Sequence, residues 1–351
     1  MRAMRSAEAV CLGESMAVLL PDAPGPLDAV PGFRSAVGGA ESNTACVLAD
    51  LGVRSAWISR VGADGFGRRL LDELAARGVD VSGVAVDPHR PTGLYVKEVG
   101  GSAHPDDLGA DRSRLHYYRA GSAASALSPD LLAEPAAARL LAGARLLHLS
   151  GITAALADGC LALLRALLAA PRSGRTISFD LNWRPALWRD RDPAVLRELL
   201  DSADVVLLGA DEAEAVLGTG DPLALRRLLP RPRTLVVKDG AYQALAVDRK
   251  GGLTRQPALR VEVVEPTGAG DAFAGGYLAG LLRGLDERGR LRLGHLAAAC
   301  ALTSPGDQGR PPRPETVDVL LAASDATWAD TVVTASGATV AAGPPREEVG
   351  P

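Results

Sequence analysis

Glu265-Pro266-Thr267-Gly268-Ala269-Gly270-Asp271 is the stretch on which the reading of this chain turns. Ahead of it, in Leu259-Arg260-Val261-Glu262-Val263-Val264, Val261 and Val263 alternate with Arg260 and Glu262, the period of a half-buried strand. After it, Ala272-Phe273-Ala274-Gly275-Gly276-Tyr277-Leu278 is apolar and small, as in a buried helix. A strand that turns through two glycines into a helix leaves backbone N–H groups unpaired and pointing outward. Such a nest binds anions, with the positive end of the helix dipole behind it. An acidic side chain among those N–H groups is not there to hold phosphate by charge. Asp271 is suited instead to take a proton from a hydroxyl that attacks a phosphate held beside it. The stretch reads as a phosphoryl-transfer site, against the competing reading of a tight turn with Asp271 as a plain helix N-cap.

Two familiar phosphate-binding patterns fail on the residues. No G-x-x-x-x-G-K-[ST] occurs, so the chain has no P-loop. A dinucleotide fingerprint starting at Gly268 needs a small residue at position 273, and Phe273 is too large for that close packing of helix on strand.

The 351 residues are 47% hydrophobic and 23% charged, the composition of a soluble globular chain of one or two domains. The net charge of −4 is spread in both signs, which points to neither a nucleic-acid stripe nor a membrane-binding surface. Basic residues are nearly all arginine; Lys97, Lys238 and Lys250 are the only lysines. Cys11, Cys46, Cys160 and Cys300 lie in separate apolar runs without a C-x-x-C, as buried free thiols of a reducing compartment. The run Ala9–Leu12 stops at Gly13-Glu14, too short for a signal-peptide core. No segment approaches the ~20 apolar residues of a membrane span. A cytoplasmic location is expected.

Strands are expected at Ala9–Leu12, Ser55–Val61, Leu146–Leu149, Thr176–Asp180, Val205–Leu208, Thr234–Lys238 and Val261–Val264, with helices such as Ser42–Leu51, Gly67–Arg77, Leu161–Ala170 and Asp271–Arg283 between them. This alternation predicts an α/β fold, a parallel sheet covered on both faces, with ligands beyond the carboxyl ends of the strands. Asp64, in Gly62-Ala63-Asp64-Gly65-Phe66-Gly67, is expected to cap a helix. Met16–Val37 and Pro91–Arg119 break the alternation, and the second reads as a β-hairpin with a long loop between its arms. Beyond Ala323 the chain turns to Ala, Gly, Pro, Thr and Val, and disorder is expected over 324–351.

The Glu265–Asp271 stretch resembles the signature of ribokinase-like sugar kinases, the PfkB family. Four further segments resemble the 2-keto-3-deoxygluconate kinase branch of that family, in that branch's order. They are Val37-Gly38-Gly39-Ala40-Glu41-Ser42-Asn43, Tyr117-Tyr118-Arg119-Ala120-Gly121-Ser122-Ala123, Leu147-His148-Leu149-Ser150-Gly151-Ile152 and Asp180-Leu181-Asn182-Trp183-Arg184-Pro185-Ala186-Leu187-Trp188. The resemblance runs from Val10 to about Leu321. It implies a ribokinase-like fold with one kinase domain over 8–323, a central mostly parallel sheet flanked by helices, and a small β-lid from about 16–37 and 91–119. It also implies ATP and Mg2+ as cofactors, a small sugar or sugar-acid substrate, and a homo-oligomer.

Residue by residue, the resemblance makes Asp271 the general base and the backbone of Gly268, Ala269, Gly270 and Asp271 the anion hole, through the N–H groups of Ala269, Gly270 and Asp271. An arginine at a strand's carboxyl end, as Arg184 is, can pair a carboxylate bidentately or make a surface salt bridge; the resembling branch uses it for the sugar acid's carboxylate. The same choice stands for Arg119. Tyr95, Tyr117 and Arg119 would reach from the lid to the sugar, while Tyr118 faces away by strand alternation. Gly38, Gly39 and Asn43 would bring backbone and an amide to the sugar, and Ile152 would pack on its carbon skeleton. On the nucleotide side the resemblance places Lys238, Gly240, Thr267, Gly268, Gly270 and Gly306. Gly209-Ala210-Asp211-Glu212 aligns with an N-x-x-E motif linked to magnesium; Glu212 is kept, and Gly209 replaces the asparagine. Glu265 stands where many relatives have aspartate. Ser304-Pro305-Gly306-Asp307 resembles the turn that completes the adenine pocket and part of the sugar site, with Asp307 toward the sugar. His148 reads as a core histidine.

The implied activity is ATP-dependent phosphorylation of 2-keto-3-deoxygluconate to its 6-phosphate. A fructokinase-like or ribokinase-like kinase for a neutral sugar is the alternative. A sugar-binding regulator without catalysis conflicts with the intact Gly268-Ala269-Gly270-Asp271.

Overall fold

Four-residue strands without a polar side chain, such as Ala9–Leu12, are stable only in a sheet buried on both faces. The computed structural model, which describes residues 7–109, 112–304, 306 and 309–340, is built around such a sheet. The chain opens with β1 (Ala9–Leu12), β2 (Met16–Pro21), β3 (Phe33–Gly38) and α1 (Ala40–Asp50). Next come β4 (Ser55–Gly62), α2 (Gly65–Ala76), β5 (Asp80–Asp87), β6 (Leu94–Val99) and β7 (Ser113–Tyr118). The middle of the chain holds α3 (Pro135–Gly143), β8 (Leu146–Ser150), α4 (Gly151–Leu156), α5 (Asp158–Ala169), β9 (Thr176–Asp180) and α6 (Val195–Asp201). It continues through β10 (Val205–Gly209), α7 (Ala210–Leu217), α8 (Pro222–Leu228), β11 (Thr234–Asp239), β12 (Gln243–Asp248), β13 (Leu253–Pro257) and β14 (Arg260–Val261). It closes with α9 (Ala269–Leu282), α10 (Glu287–Leu302), α11 (Pro314–Ala322), α12 (Asp325–Ala329), β15 (Thr331–Thr334) and β16 (Gly337–Val340).

The nine-stranded sheet has the order β13-β12-β11-β10-β9-β8-β1-β4-β5, parallel except that β12 runs antiparallel to both of its neighbours near one edge. From β1 the chain runs outward through β4 and β5 on one side and through β8 to β11 on the other. The order therefore reverses between β1 and β8, which opens a crevice at the strands' carboxyl ends. Side chains of β1 alternate between two apolar layers. Ala9 and Cys11 join Cys46, Phe273 and Leu296 on one face, and Val10 and Leu12 join Leu163 and Leu199 on the other. All four cysteines are free and buried. Among the described residues no helix is long and apolar enough to cross a membrane.

The two irregular stretches supply a separate four-stranded sheet, β3-β2-β6-β7, and its β6–β7 pair is the hairpin expected at Pro91–Arg119. Asp64 caps α2, its Oδ1 accepting from the Gly67 N–H at 2.7 Å.

Two expectations are corrected. The strand read over Val261–Val264 is only the two residues Arg260–Val261; Val263 and Val264 are exposed, and the Val264 N–H donates to the Leu302 carbonyl instead. Its partner is β15, so it lies outside the main sheet. Of the disorder expected over 324–351, residues 341–351 lie outside the described residues, and 324–340 forms α12 and the β15–β16 hairpin instead. Trp328, 1% exposed, anchors that segment, its Nε1 donating to the Pro257 carbonyl at 2.9 Å under the Arg292 guanidinium. A composition of small residues hid this, because one buried tryptophan supplies most of the anchoring area.

Two buried features tie the helices to the crevice. A Cβ at Gly276 of α9 would lie 2.3 Å from the Leu293 carbonyl oxygen of α10, so the two helices touch backbone to backbone. Glu41 at the start of α1 is fully buried; Ser150 and Thr153 hydroxyls donate to its Oε1 at 2.6 and 2.7 Å, and Oε2 has no hydrogen-bond partner among the described residues. Burial raises the Glu41 carboxyl to about 7 against the pull of those hydroxyls.

Gly276→Ala is expected to lower unfolding free energy by about 1–3 kcal/mol, measured by urea denaturation, because backbone cannot yield as a side-chain tip does. For Glu41 the folded state binds the proton more tightly than the unfolded chain, so stability falls as pH rises from about 4.5 to about 7 and then levels. Glu41→Gln, which cannot ionise, should raise Tm by a few degrees at about pH 8.5 and by almost nothing at about pH 5. Equal shifts at both pH values would show that Glu41 stays ionised in the fold.

Candidate active site

The turn into α9 is set by Gly268, whose φ of 80° lies in the left-handed region that glycine reaches without strain. The amides of Ala269, Gly270 and Asp271 then form the first turn with no helical acceptor of their own. All four residues line one cleft of about 740 Å³. Asp271 is half-buried there, and two amides hold its carboxylate: Asn43 donates to Oδ2 at 3.0 Å and Asn182 to Oδ1 at 3.1 Å. The Thr44 hydroxyl donates to the Asp271 carbonyl at 3.1 Å. Burial pushes the Asp271 carboxyl above its usual range, and nearby Asp180 adds to this. The Asn43 hydrogen bond, Arg184 and Lys238 oppose it without cancelling it.

Beside the turn, Lys238 at the end of β11 donates to Asp180 Oδ2 at 2.9 Å. Asp180 ends β9, so the pair spans the end of the intervening strand β10. Gly209 occupies that end. A Cβ there would come within 2.6 Å of the Asp211 carboxylate and 3.2 Å of the Glu212 carboxylate. Burial pulls the Lys238 ammonium down, but Asp180 and Glu212 outweigh it and hold it above its usual value, so it remains a cation. Glu212 accepts from the Gly209 and Trp183 N–H groups at 2.9 and 3.0 Å, and Arg184 stands 3.7 Å away. Both Glu212 oxygens thus have backbone donors. Among the described residues no group of three acidic, histidine or cysteine side chains forms a metal cage. The carboxylates that line the cleft suit a hard cation that keeps most of its ligands as water and phosphate oxygens.

The far half of the cleft is apolar, lined by Ala258, Leu259, Val261, Ala298, Ala299 and Leu302. A flat heteroaromatic ring fits such a wall, with phosphates reaching toward the glycine turn.

Of the residues expected at the site, the cleft gathers Arg184, Glu212, Lys238, Gly240, Thr267, Gly268, Ala269, Gly270 and Asp271. Asn43 reaches it through its bond to Asp271. Gly38 ends β3 and Gly39 opens α1, both beside the β1–β8 reversal, and Ile152 is half-buried in the first turn of α4. Tyr95 is buried and packs on Tyr117 with ring centroids 5.6 Å apart, while Tyr118 is the more exposed of the neighbouring tyrosines. Arg119 is buried, paired with Glu14, whose Oε1 also accepts from Ser122 at 2.7 Å. Its charge is therefore matched in the interior, whereas Arg184, 3.7 Å from Glu212, is exposed at the cleft. Gly306 adopts a φ of 103° beside Leu20 of the small sheet, and Asp307 lies outside the described residues. His148 is a buried core histidine bonded to Ser178 at 2.9 Å, and burial lowers it to about 4.

Three residues were not singled out from the sequence. Asp180 and Asn182 lie in the Asp180–Trp188 segment, yet only the register of β9 beside β10 reveals that one holds Lys238 and the other Asp271. Asn182 has a φ of 41°, a left-handed backbone that asparagine tolerates and that turns its amide back to Asp271. Glu14 follows β1 directly, and a buried acid at that strand end was the available signal.

Comparison with known proteins agrees with this geometry. Residues 6–314 match the pfkB family carbohydrate kinase profile. The chain is 40% identical over 320 residues to the 2-dehydro-3-deoxygluconokinase of Thermoproteus tenax, covering 90% of this chain and 94% of that protein. It is 36% identical over 326 residues to the 2-dehydro-3-deoxygluconokinase of Bacillus subtilis (strain 168), covering 90% and 96%. Among solved structures, the PfkB protein from Polaromonas sp. JS666 superposes with a TM-score of 0.74 at 34% identity, covering 89% of this chain and 99% of that one. The fold is ribokinase-like, and the chain belongs to the pfkB family of carbohydrate kinases, phosphotransferases that act on a sugar alcohol group.

Proposed function

We propose that this kinase phosphorylates 2-keto-3-deoxygluconate, the compound also called 2-dehydro-3-deoxygluconate, at its 6-hydroxyl, with ATP as donor. The observation that carries the reading is the Asp271 carboxylate, held between Asn43 and Asn182 at the mouth of the glycine turn, with the exposed Arg184 in the same cleft. The acceptor hydroxyl lies against Asp271, which takes its proton as the oxygen attacks the terminal phosphorus in line. Amides of the turn stabilise the phosphoryl oxygens, and Lys238 offsets their charge. Asn43 and Asn182 fix the carboxylate's orientation, so little rearrangement precedes proton transfer. Asp180, Asp211 and Glu212, carboxylates that line the cleft, would orient the waters of a Mg2+ bound with the nucleotide, which would neutralise phosphate charge. The adenine lies on the apolar half of the cleft. The resemblance to two 2-dehydro-3-deoxygluconokinases favours the sugar acid. A neutral sugar is the second reading, favoured by Arg119 being committed to Glu14.

Asp271→Asn should leave the fold intact, because the N-cap of α9 is Gly268 and the asparagine oxygen still accepts one of the two amide hydrogen bonds. Turnover should fall by about 10²- to 10⁴-fold. A near-normal kcat in a coupled ADP-release assay would remove Asp271 from the role of base.

Arg184→Ala separates the two substrate readings. A hydrogen bond to a charged group contributes about 1.5–3 kcal/mol, so kcat/KM for the keto acid should drop roughly ten- to a hundredfold, with little change for fructose. A wild-type enzyme that prefers fructose, or a variant that loses both activities equally, would overturn the sugar-acid assignment and leave the kinase assignment standing.

A further inference from the structure

Tyr95 and Lys97 point to one face of the small sheet, because strand side chains alternate, and their cross-strand partners Tyr117 and Leu115 lie on that face too. Leu115 lines the cleft. Lys97 extends further: its ammonium pairs with the Glu265 carboxylate, the two side chains only 8% and 12% exposed. The second Glu265 oxygen accepts from the Thr267 N–H at 3.0 Å, and the Glu265 N–H donates to the Leu302 carbonyl at 3.1 Å. One carboxylate therefore has a cation from the small sheet on one oxygen and the backbone of the glycine turn on the other. Burial alone would raise the Glu265 carboxyl, but Lys97 and Thr267 more than offset it and hold it below the usual range, so the pair is ionic.

We propose that Lys97 is a positioning residue for the phosphate-binding turn, and that through Glu265 it makes nucleotide affinity depend on whether the small sheet is seated on its ligand. The proposal rests on the reading of Gly268–Asp271 as the phosphate site. Lys97 reaches Glu265 only when the small sheet lies against the main body. A sugar acid that holds the sheet there keeps the ammonium on Glu265, fixes the Thr267 amide and so sets the entry to Gly268. Linkage then requires the nucleotide to favour the seated sheet in return. Withdrawing the ammonium leaves a buried carboxylate without its counter-charge, a state that the turn relieves by moving.

The test is calorimetric titration of the full chain with a non-hydrolysable ATP analogue, with and without 2-keto-3-deoxygluconate. In the wild-type protein the sugar acid is expected to tighten analogue binding. In Lys97→Met that tightening should vanish, leaving the analogue roughly tenfold weaker than wild type when sugar is present. Lys97→Arg should keep most of it. Glu265→Gln should match Lys97→Met, and the double variant should lose no more than either single one, because the two residues act as a unit. Should Lys97→Met fail to fold, the double variant and Lys97→Arg carry the test. Tightening that survives in Lys97→Met, or single losses that add in the double variant, would overturn the proposal. A wild-type protein that binds no analogue overturns the phosphate-site reading along with it; binding that is indifferent to the sugar acid overturns this proposal alone.

Discussion

Helix α9 is wedged between α1 and α10 by glycines on two sides. Gly275 leaves no room for a Cβ against Val47 and the Thr44 carbonyl, and Gly276 leaves none against Leu293. Neither face can shift without moving backbone on the other, so the axis of α9 is fixed to within small displacements. The first turn of α9 projects from that wedge into the cleft, and α1 supplies both Asn43 and Thr44 to Asp271. The position of the Asp271 carboxylate is thus a consequence of helix packing as much as of the turn in front of it. Alternation of two apolar layers across the sheet does the rest, bringing β9, β10 and β11 to end on the same line.

Charge is arranged with similar economy. Lys238 is the cation nearest the turn, yet Asp180 holds it, so it faces the cleft as a fixed charge instead of a mobile one. Between them, at the end of β10, a Cβ on Gly209 would meet the Asp211 and Glu212 carboxylates, so the bare glycine leaves room for those two acids. Glu212, with a backbone donor on each oxygen, keeps that turn in place.

Much of this was legible in the sequence because the signals were periodic or short-range. The parallel strands Ala9–Leu12 and Thr176–Asp180 were bounded as the structure has them, the first a short apolar run and the second an alternation of Ile177 and Phe179 with polar residues. The glycine turn and its aspartate were readable from seven adjacent residues. What escaped depends on pairing across distance. Val261–Val264 has the alternation of a strand, but only Val261 of it finds a ladder partner, and that partner lies some seventy residues later, in β15. The links Lys97–Glu265, Asn182–Asp271 and Arg119–Glu14 each join residues far apart in sequence, where no local pattern can announce them.

The β14–β15 pairing bears on how the protein is made. Val261 forms part of the cleft wall, yet the backbone groups of Arg260 and Val261 have ladder partners only in Val332 and Val333. During synthesis α9, α10 and the parallel strands all leave the ribosome before those partners exist. Asp271 can therefore be docked on α1 while the wall beside it still lacks its neighbour. Completion of that wall is a late step in the maturation of the nascent chain, set by one short hairpin that contributes no side chain to the cleft.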